Sequence, residues 1–192
     1  MNWFDDLVGF REQFAEQVCS MIDVDGDHLR RGANGRELRC GTLEVVALCD
    51  LRKRTTVVQG TERRLRLSEV VGNVQSLHQQ SENAGALFQV ASQFNLLEMV
   101  SPSVTPDDGI GIYENDRTQG PACAIAAGAG TIYRNYFAPV NGRVGQSTAD
   151  QIDCLQDIGV ALGNQNNCLW RMRNGYALPS VPCFEARFRP QD

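Results

Sequence analysis

The sequence predicts an α/β domain, and three observations carry that prediction. Apolar residues recur at steps of three or four near the amino terminus, Asp-Gly and Asn-Gly dipeptides punctuate short extended stretches, and small residues dominate a run that opens with proline. The 192 residues, 42% hydrophobic and 21% charged, suffice for one sizeable core and exclude collagen-like, coiled-coil and wholly disordered chains. No apolar run approaches the roughly 20 residues of a membrane-spanning helix, and the first residues are acidic, so the sequence reads as cytoplasmic or otherwise intracellular, with no membrane partner.

Taken in order, Trp3, Leu7, Phe10, Phe14, Val18 and Met21 lie on one face of a helical period and predict a single amphipathic helix. Asp25-Gly26 and Asn34-Gly35 adopt the positive φ of tight hairpins readily, which predicts an antiparallel meander over 21–49 ending in the apolar run Leu43 to Leu48. The Arg-rich segment 52–66 lacks a period and reads as a loop or exposed edge hairpin. Beyond residue 70, Ala86 to Ala91 is short and almost continuously apolar, as a strand buried on both faces would be. Phe94 to Met99 then predicts a short helix, ended by the proline-bearing loop Ser101 to Asp108.

Pro121 suits the first turn of a helix, and residues 122–131 are almost all small, so that helix can approach another backbone closely. Thr148 is the expected N-cap of a helix burying Ile152, Leu155, Ile158 and Leu162, and Asn174-Gly175 predicts a hairpin between 168–173 and 176–181. These elements divide the chain into an N-terminal helix and hairpin region (1–66), an α/β core (67–181) and a tail (182–192).

Net charge is −5, distributed unevenly: residues 1–27 carry one base and seven acids, 28–66 ten bases and four acids, and 67–192 seven bases and twelve acids. The basic stretch contains no aromatic residue for base stacking, which argues against a nucleic-acid groove and for a solvated face. Seven cysteines without a C-x-x-C pair, and only His28 and His78, point to neither a zinc site nor a disulfide framework. No metal or cofactor is called for, and catalysis would rest on carboxylates, amides or a cysteine.

Three constellations hold candidate chemistry. Gln89, Ser92, Gln93, Asn95 and Glu98 follow the expected buried strand, where amides can both donate to and accept from ribose hydroxyls and a carboxylate can handle a proton. Gly128-Ala129-Gly130-Thr131 can turn main-chain N–H groups toward an anion, with Arg134 as its bidentate partner. The spacing matches neither the dinucleotide nor the P-loop pattern, and a small-residue helix packed on a sheet explains the glycines equally well. Cys123, near a helix start, is the candidate nucleophile of a cysteine-dependent hydrolase or transferase with His78 as base.

The run Phe88 to Glu98, followed by Asp116-Arg117-Thr118-Gln119-Gly120-Pro121-Ala122 and the glycine-bearing helix, resembles a divergent macrodomain over about 75 residues. The resemblance implies a mixed β-sheet flanked by helices and an ADP-ribose-like ligand, free or on an ADP-ribosylated macromolecule, across the carboxyl ends of the strands. Asn95 takes the position of the ribose-facing asparagine, with Gln89 and Ser92 beside it; Glu98, as the carboxylate of the same cluster, is the expected residue to assist proton transfer or position water. Gln119, Gly120, Gly128, Gly130, Thr131, Arg134 and Asn135 complete the ligand-binding set. The paired glutamates of poly-ADP-ribose glycohydrolases have no counterpart, and the chain stops before the late diphosphate loop, as a fragment or an incomplete domain would. The function implied is ADP-ribose binding, with hydrolysis of an ADP-ribosyl bond; the alternatives are a non-catalytic binding module and the Cys123 enzyme.

Overall fold

The computed structural model describes residues 2–32, 35–54, 67–72, 76–77, 79–86, 93–98, 101–117 and 120–180. It is a mixed α/β structure with six helices and small antiparallel sheets among these residues. The chain divides into two compact units, one formed by 1–43 with 90–192 and the other by 44–89. This division differs from the expected boundary at 66/67, because the N-terminal helices share their core with residues 97–136.

The predicted single N-terminal helix is two helices, α1 (Trp3–Val8) and α2 (Ala15–Met21). Asn2 and Asp5 form a reciprocal capping box at the start of α1, and Gly9 ends it at φ +77°, a conformation glycine adopts without a Cβ penalty. The Asp5 carboxylate then accepts from the Glu12 N–H at 3.2 Å, which turns the chain back before α2. Of the predicted face only Val18 is fully buried, while Trp3, Leu7 and Phe10 pack against the core partly buried. The other buried positions are Phe4, Val8 and Ile22, each one residue later than Trp3, Leu7 and Met21, and Phe14 caps α2 and stands 54% exposed.

The meander is a three-stranded antiparallel sheet of β1 (Asp23–Asp25), β2 (His28–Arg30) and β3 (Glu37–Arg39). Asp25 pairs with His28, so the turn is Gly26-Asp27, one residue later than predicted, with Gly26 at φ +58°. The sheet stops at Arg39: residues 40–47 form no strand, and Leu48 opens α3 (Leu48–Arg54). In that second unit, Arg54 meets Glu44 through two hydrogen bonds of 2.7 and 2.8 Å, and Lys53 meets Asp50 at 2.9 Å. Residues 55–66 lie outside the described residues, as do 87–91 of the expected buried strand.

Phe94 to Glu98 is a turn and not the predicted helix; Leu96 takes φ +67° there. Pro121 opens a helix as predicted, but the small-residue run breaks into α4 (Pro121–Ala124) and α5 (Ala129–Tyr136) at Gly128, whose φ is +50°. The close backbone approach is realised at Gly130, where a Cβ would lie 3.1 Å from the carbonyl oxygen of Cys40. Ile132 and Tyr136 carry α5 into the core with Leu29, Leu97, Ile110 and Tyr113.

A two-residue turn, Asn141-Gly142, joins β4 (Pro139–Val140) to β5 (Arg143–Val144), a hairpin that sequence reading did not find. The helix expected after Thr148 begins later, as α6 (Gln156–Leu162), because the N–H and hydroxyl of Thr148 both donate to Asp107 instead. Ile152 is buried ahead of α6, whereas Ile158 and Leu162 are 40% and 45% exposed. Asn174 (φ +47°) and Gly175 (φ +79°) make the predicted hairpin between β6 (Trp170–Arg173) and β7 (Tyr176–Pro179).

Candidate functional site

Asn95, expected to face a ribose, is completely buried and committed to the protein itself. Its Nδ2 donates to Gln151 at 3.0 Å and its Oδ1 accepts from the N–H of Leu97 at 3.1 Å. Gln151 in turn donates to Asn174, which donates to the carbonyl of Pro102, so the amides form a continuous chain across three loops. This corrects the catalytic assignment: the side chain fastens the 93–98 turn, because a buried amide is costly unless its donors and acceptors are met.

The 128–131 turn is likewise closed. The N–H groups of Gly128, Gly130 and Thr131 donate to the carbonyls of Ile125, Ala127 and Gly128, each at 2.9 Å. Arg134 folds back along α5, its Nε on the Gly130 carbonyl at 3.3 Å and its Nη2 on Thr131 Oγ1 at 2.9 Å. Burial holds the guanidinium below its ordinary range, partly offset by the nearby Glu98 carboxylate. Thr131 and Asn135 are completely buried, and Asn135 donates to the Pro106 carbonyl at 3.3 Å. The anion cradle expected from these residues is therefore occupied by the helix's own bonds. Gly120 is the N-cap of α4 at φ +89°, accepting from Cys123 and Ala124. Gln89, Ser92, Gln119 and His78 lie outside the described residues.

Glu98 is the expected site residue that the fold surrounds with chemistry. It is buried, and within its electrostatic reach lie Arg134, Tyr113, Cys123 and Tyr176. Asp116, buried on the segment after the 3-10 turn Gly111–Asn115, acts on the same Cys123 and Tyr176. Tyr113 is 0% exposed, and its hydroxyl lies against the main chain of Glu98. Burial, more than the neighbouring carboxylates, drives its ionisation far above the usual tyrosine range.

Cys123 does not fit the role of nucleophile. Burial pushes its thiol up, and Glu98 and Asp116 push it further, whereas a nucleophile needs a lowered thiol. Its helix, four residues long, supplies no sustained dipole to reverse that.

Sequence reading missed Tyr113, Asp116 and Tyr176 as site residues. Their one signal is that Asp116 opens the second half of the macrodomain-like pattern; the tyrosines reach the cluster through tertiary packing alone. A cleft of about 750 Å³ lies elsewhere, against Asn2, Asp5, Asp6, Phe10, Arg11 and Glu114. Its three acids outnumber its one base, Arg11, which disfavours an anionic ligand there as well. Among the described residues no group of three or more His, Cys, Asp or Glu is placed to hold a metal ion, and no helix is long and apolar enough to cross a membrane. No family model matches the chain, and no curated protein or solved structure does either.

Proposed function

We propose that this chain is a binding module for a ribosyl ligand, the sugar end of an ADP-ribose-type molecule, at the cluster of Glu98, Asp116, Tyr113 and Tyr176. The observation that carries the reading is Tyr113: a completely buried phenol whose hydroxyl lies against the main chain of Glu98, close to that residue's buried carboxylate. A phenol and a carboxylate side by side offer a sugar hydroxyl both a donor and an acceptor. Carboxylates accept from adjacent hydroxyls, and the half-buried Tyr176 adds an aromatic ring near Glu98 and Asp116. The macrodomain-like arrangement belongs to this reading; its support is the α/β character and the small-residue helices after Pro121, while the described sheets are antiparallel and have two or three strands.

Thermal shift with ADP-ribose tests it. Ligand at a hundred times its dissociation constant is expected to add about 2.7 kcal/mol of stability, and Glu98→Gln to remove that gain. No shift at saturating ligand refutes the reading.

A second reading, hydrolysis of an ADP-ribosyl bond, is favoured by Glu98 itself, a buried acid beside a phenol where an oxocarbenium ion would gain from negative charge. It predicts release of ADP-ribose from a modified protein by the native chain and not by Glu98→Gln. Asn95 takes no part in that step.

A further inference from the structure

Helix α6 lies against the β6–β7 hairpin, yet none of its residues is buried. Its one charged residue is Asp157, and Ile158 and Leu162, a turn apart on one helix face, are both exposed. Two contacts hold the helix where it is. Asn164, just past its end, accepts from the N–H groups of Leu169 and Trp170 at 2.7 and 3.1 Å, and a Cβ on Gly159 would lie 3.6 Å from the Trp170 ring. That close approach leaves Ile158 and Leu162 along a groove of about 250 Å³, shared with Phe94 and with Trp170, Ala177 and Pro179 of the hairpin. The volume falls below the roughly 300–1,000 Å³ of small-molecule sites, and the lining side chains are apolar, without the convergent polar groups that orient such a ligand. A groove of this kind suits the apolar side chains of a polypeptide.

The segment 181–192 starts at this groove. Pro179 lines it, and Ser180 is fixed beside it, its N–H donating to the carbonyl of Leu169 at 2.8 Å and its hydroxyl to that of Asn167 at 2.7 Å. The segment, which lies outside the described residues, carries Val181, Phe184 and Phe188, and its twelve residues span up to roughly 40 Å when extended. We infer that the groove is the docking site of this segment of the same chain, with the rings of Phe184 and Phe188 covering Ile158, Leu162 and Trp170. Tethering favours this occupant over a separate peptide or a second copy, because a segment joined at the rim is present at a roughly millimolar effective concentration. Each ring brings about 150–250 Å² of surface to be buried. The docking stands independently of the ribosyl reading.

Methyl-detected NMR on the full chain tests it. Nuclear Overhauser contacts are expected from the rings of Phe184 and Phe188 to the methyl groups of Ile158 and Leu162, unchanged on dilution. Replacing both rings, Phe184→Ser with Phe188→Ser, is expected to remove these contacts and to shift the Ile158 and Leu162 methyl resonances, while those of the core residues Ile110 and Ile132 stay in place. Absence of ring-to-methyl contacts in the unaltered chain overturns the inference, whatever the variant does. Contacts that fade on dilution, or that arise between differently labelled chains, overturn it in favour of a second copy seated in the groove.

Discussion

The side-chain amide of Gln146 donates to the main-chain carbonyl of Asn95 at 2.9 Å, and through the same nitrogen to the carbonyl of Arg134 at 3.0 Å. Its Oε1 accepts from the N–H of Ile152 at 3.0 Å, so one buried amide joins the 93–98 turn, the end of α5 and the segment before α6. The two segments that sequence reading placed around a ligand do meet, and Gln146 fills the junction. Gln146→Ala is expected to cost about 2 to 4 kcal/mol, since it leaves buried carbonyls and an N–H without partners. Urea denaturation measures this; a loss below about 0.5 kcal/mol would show that the junction does not depend on the amide.

Gly175 and Gly142 both stand at φ +79°, each as the second residue of a tight hairpin turn. A Cβ on Gly142 would meet nothing within 4 Å, whereas one on Gly175 would lie 2.5 Å from the Asn95 side chain. Gly142→Ala therefore reports the left-handed penalty alone, about 1 to 2 kcal/mol. Gly175→Ala is expected to exceed it by about 1 to 3 kcal/mol through displacement of Asn95. Equal melting temperatures for the two variants would contradict the packing of the hairpin on the 93–98 turn.

Local signals were legible where a residue's own chemistry decides the conformation. Asn174-Gly175 and Pro121 act within a turn, and both stand where the dipeptide and the ring predict. The apolar period of residues 3–21 found the packed side of the segment only to within one residue and passed over the break, because Gly9 and the Asp5 carboxylate reverse the chain without disturbing the spacing. Thr148 failed as a cap for a tertiary reason: Asp107, distant in sequence, takes its hydrogen bonds. Of the proposed site only Glu98 was legible, since the burial of Asn95 and the grouping of Tyr113, Asp116 and Tyr176 near Glu98 are properties of packing.

The Cys123 thiol, raised by burial and by two carboxylates, is predicted to react with iodoacetamide more slowly at neutral pH than the exposed Cys49. The same shift has a stability consequence. The folded thiol holds its proton to higher pH than the unfolded one, so its contribution is complete below the unfolded value of roughly 8.5 and is lost as pH rises toward the folded value. Cys123→Ser reduces that decline on the alkaline side, read by denaturation at a series of pH values. A Cys123 alkylated faster than Cys49 would reverse the assignment and revive the nucleophile.

Glu12 joins the N-terminal helices to the core by accepting three hydrogen bonds. The N–H groups of Ile110 and Gly111 donate to its two oxygens at 3.0 and 2.7 Å, and the hydroxyl of Tyr136 donates to one of them. Charge-assisted bonds of this kind are the stronger class, and the donors they meet sit beside the fully buried Ile110. Glu12→Gln keeps the shape but replaces one acceptor by a donor that faces an N–H or the phenol, so it is expected to cost about 2 to 3 kcal/mol. Tyr136→Phe removes one donor and leaves the two main-chain bonds, and is expected to cost about 1 kcal/mol. The double variant should then fall short of the sum, because the phenol lost in one is a partner of the carboxylate lost in the other. Additive losses in that cycle would mean that Tyr136 and Glu12 act independently, and that the short contact between them contributes nothing to holding α2 against α5.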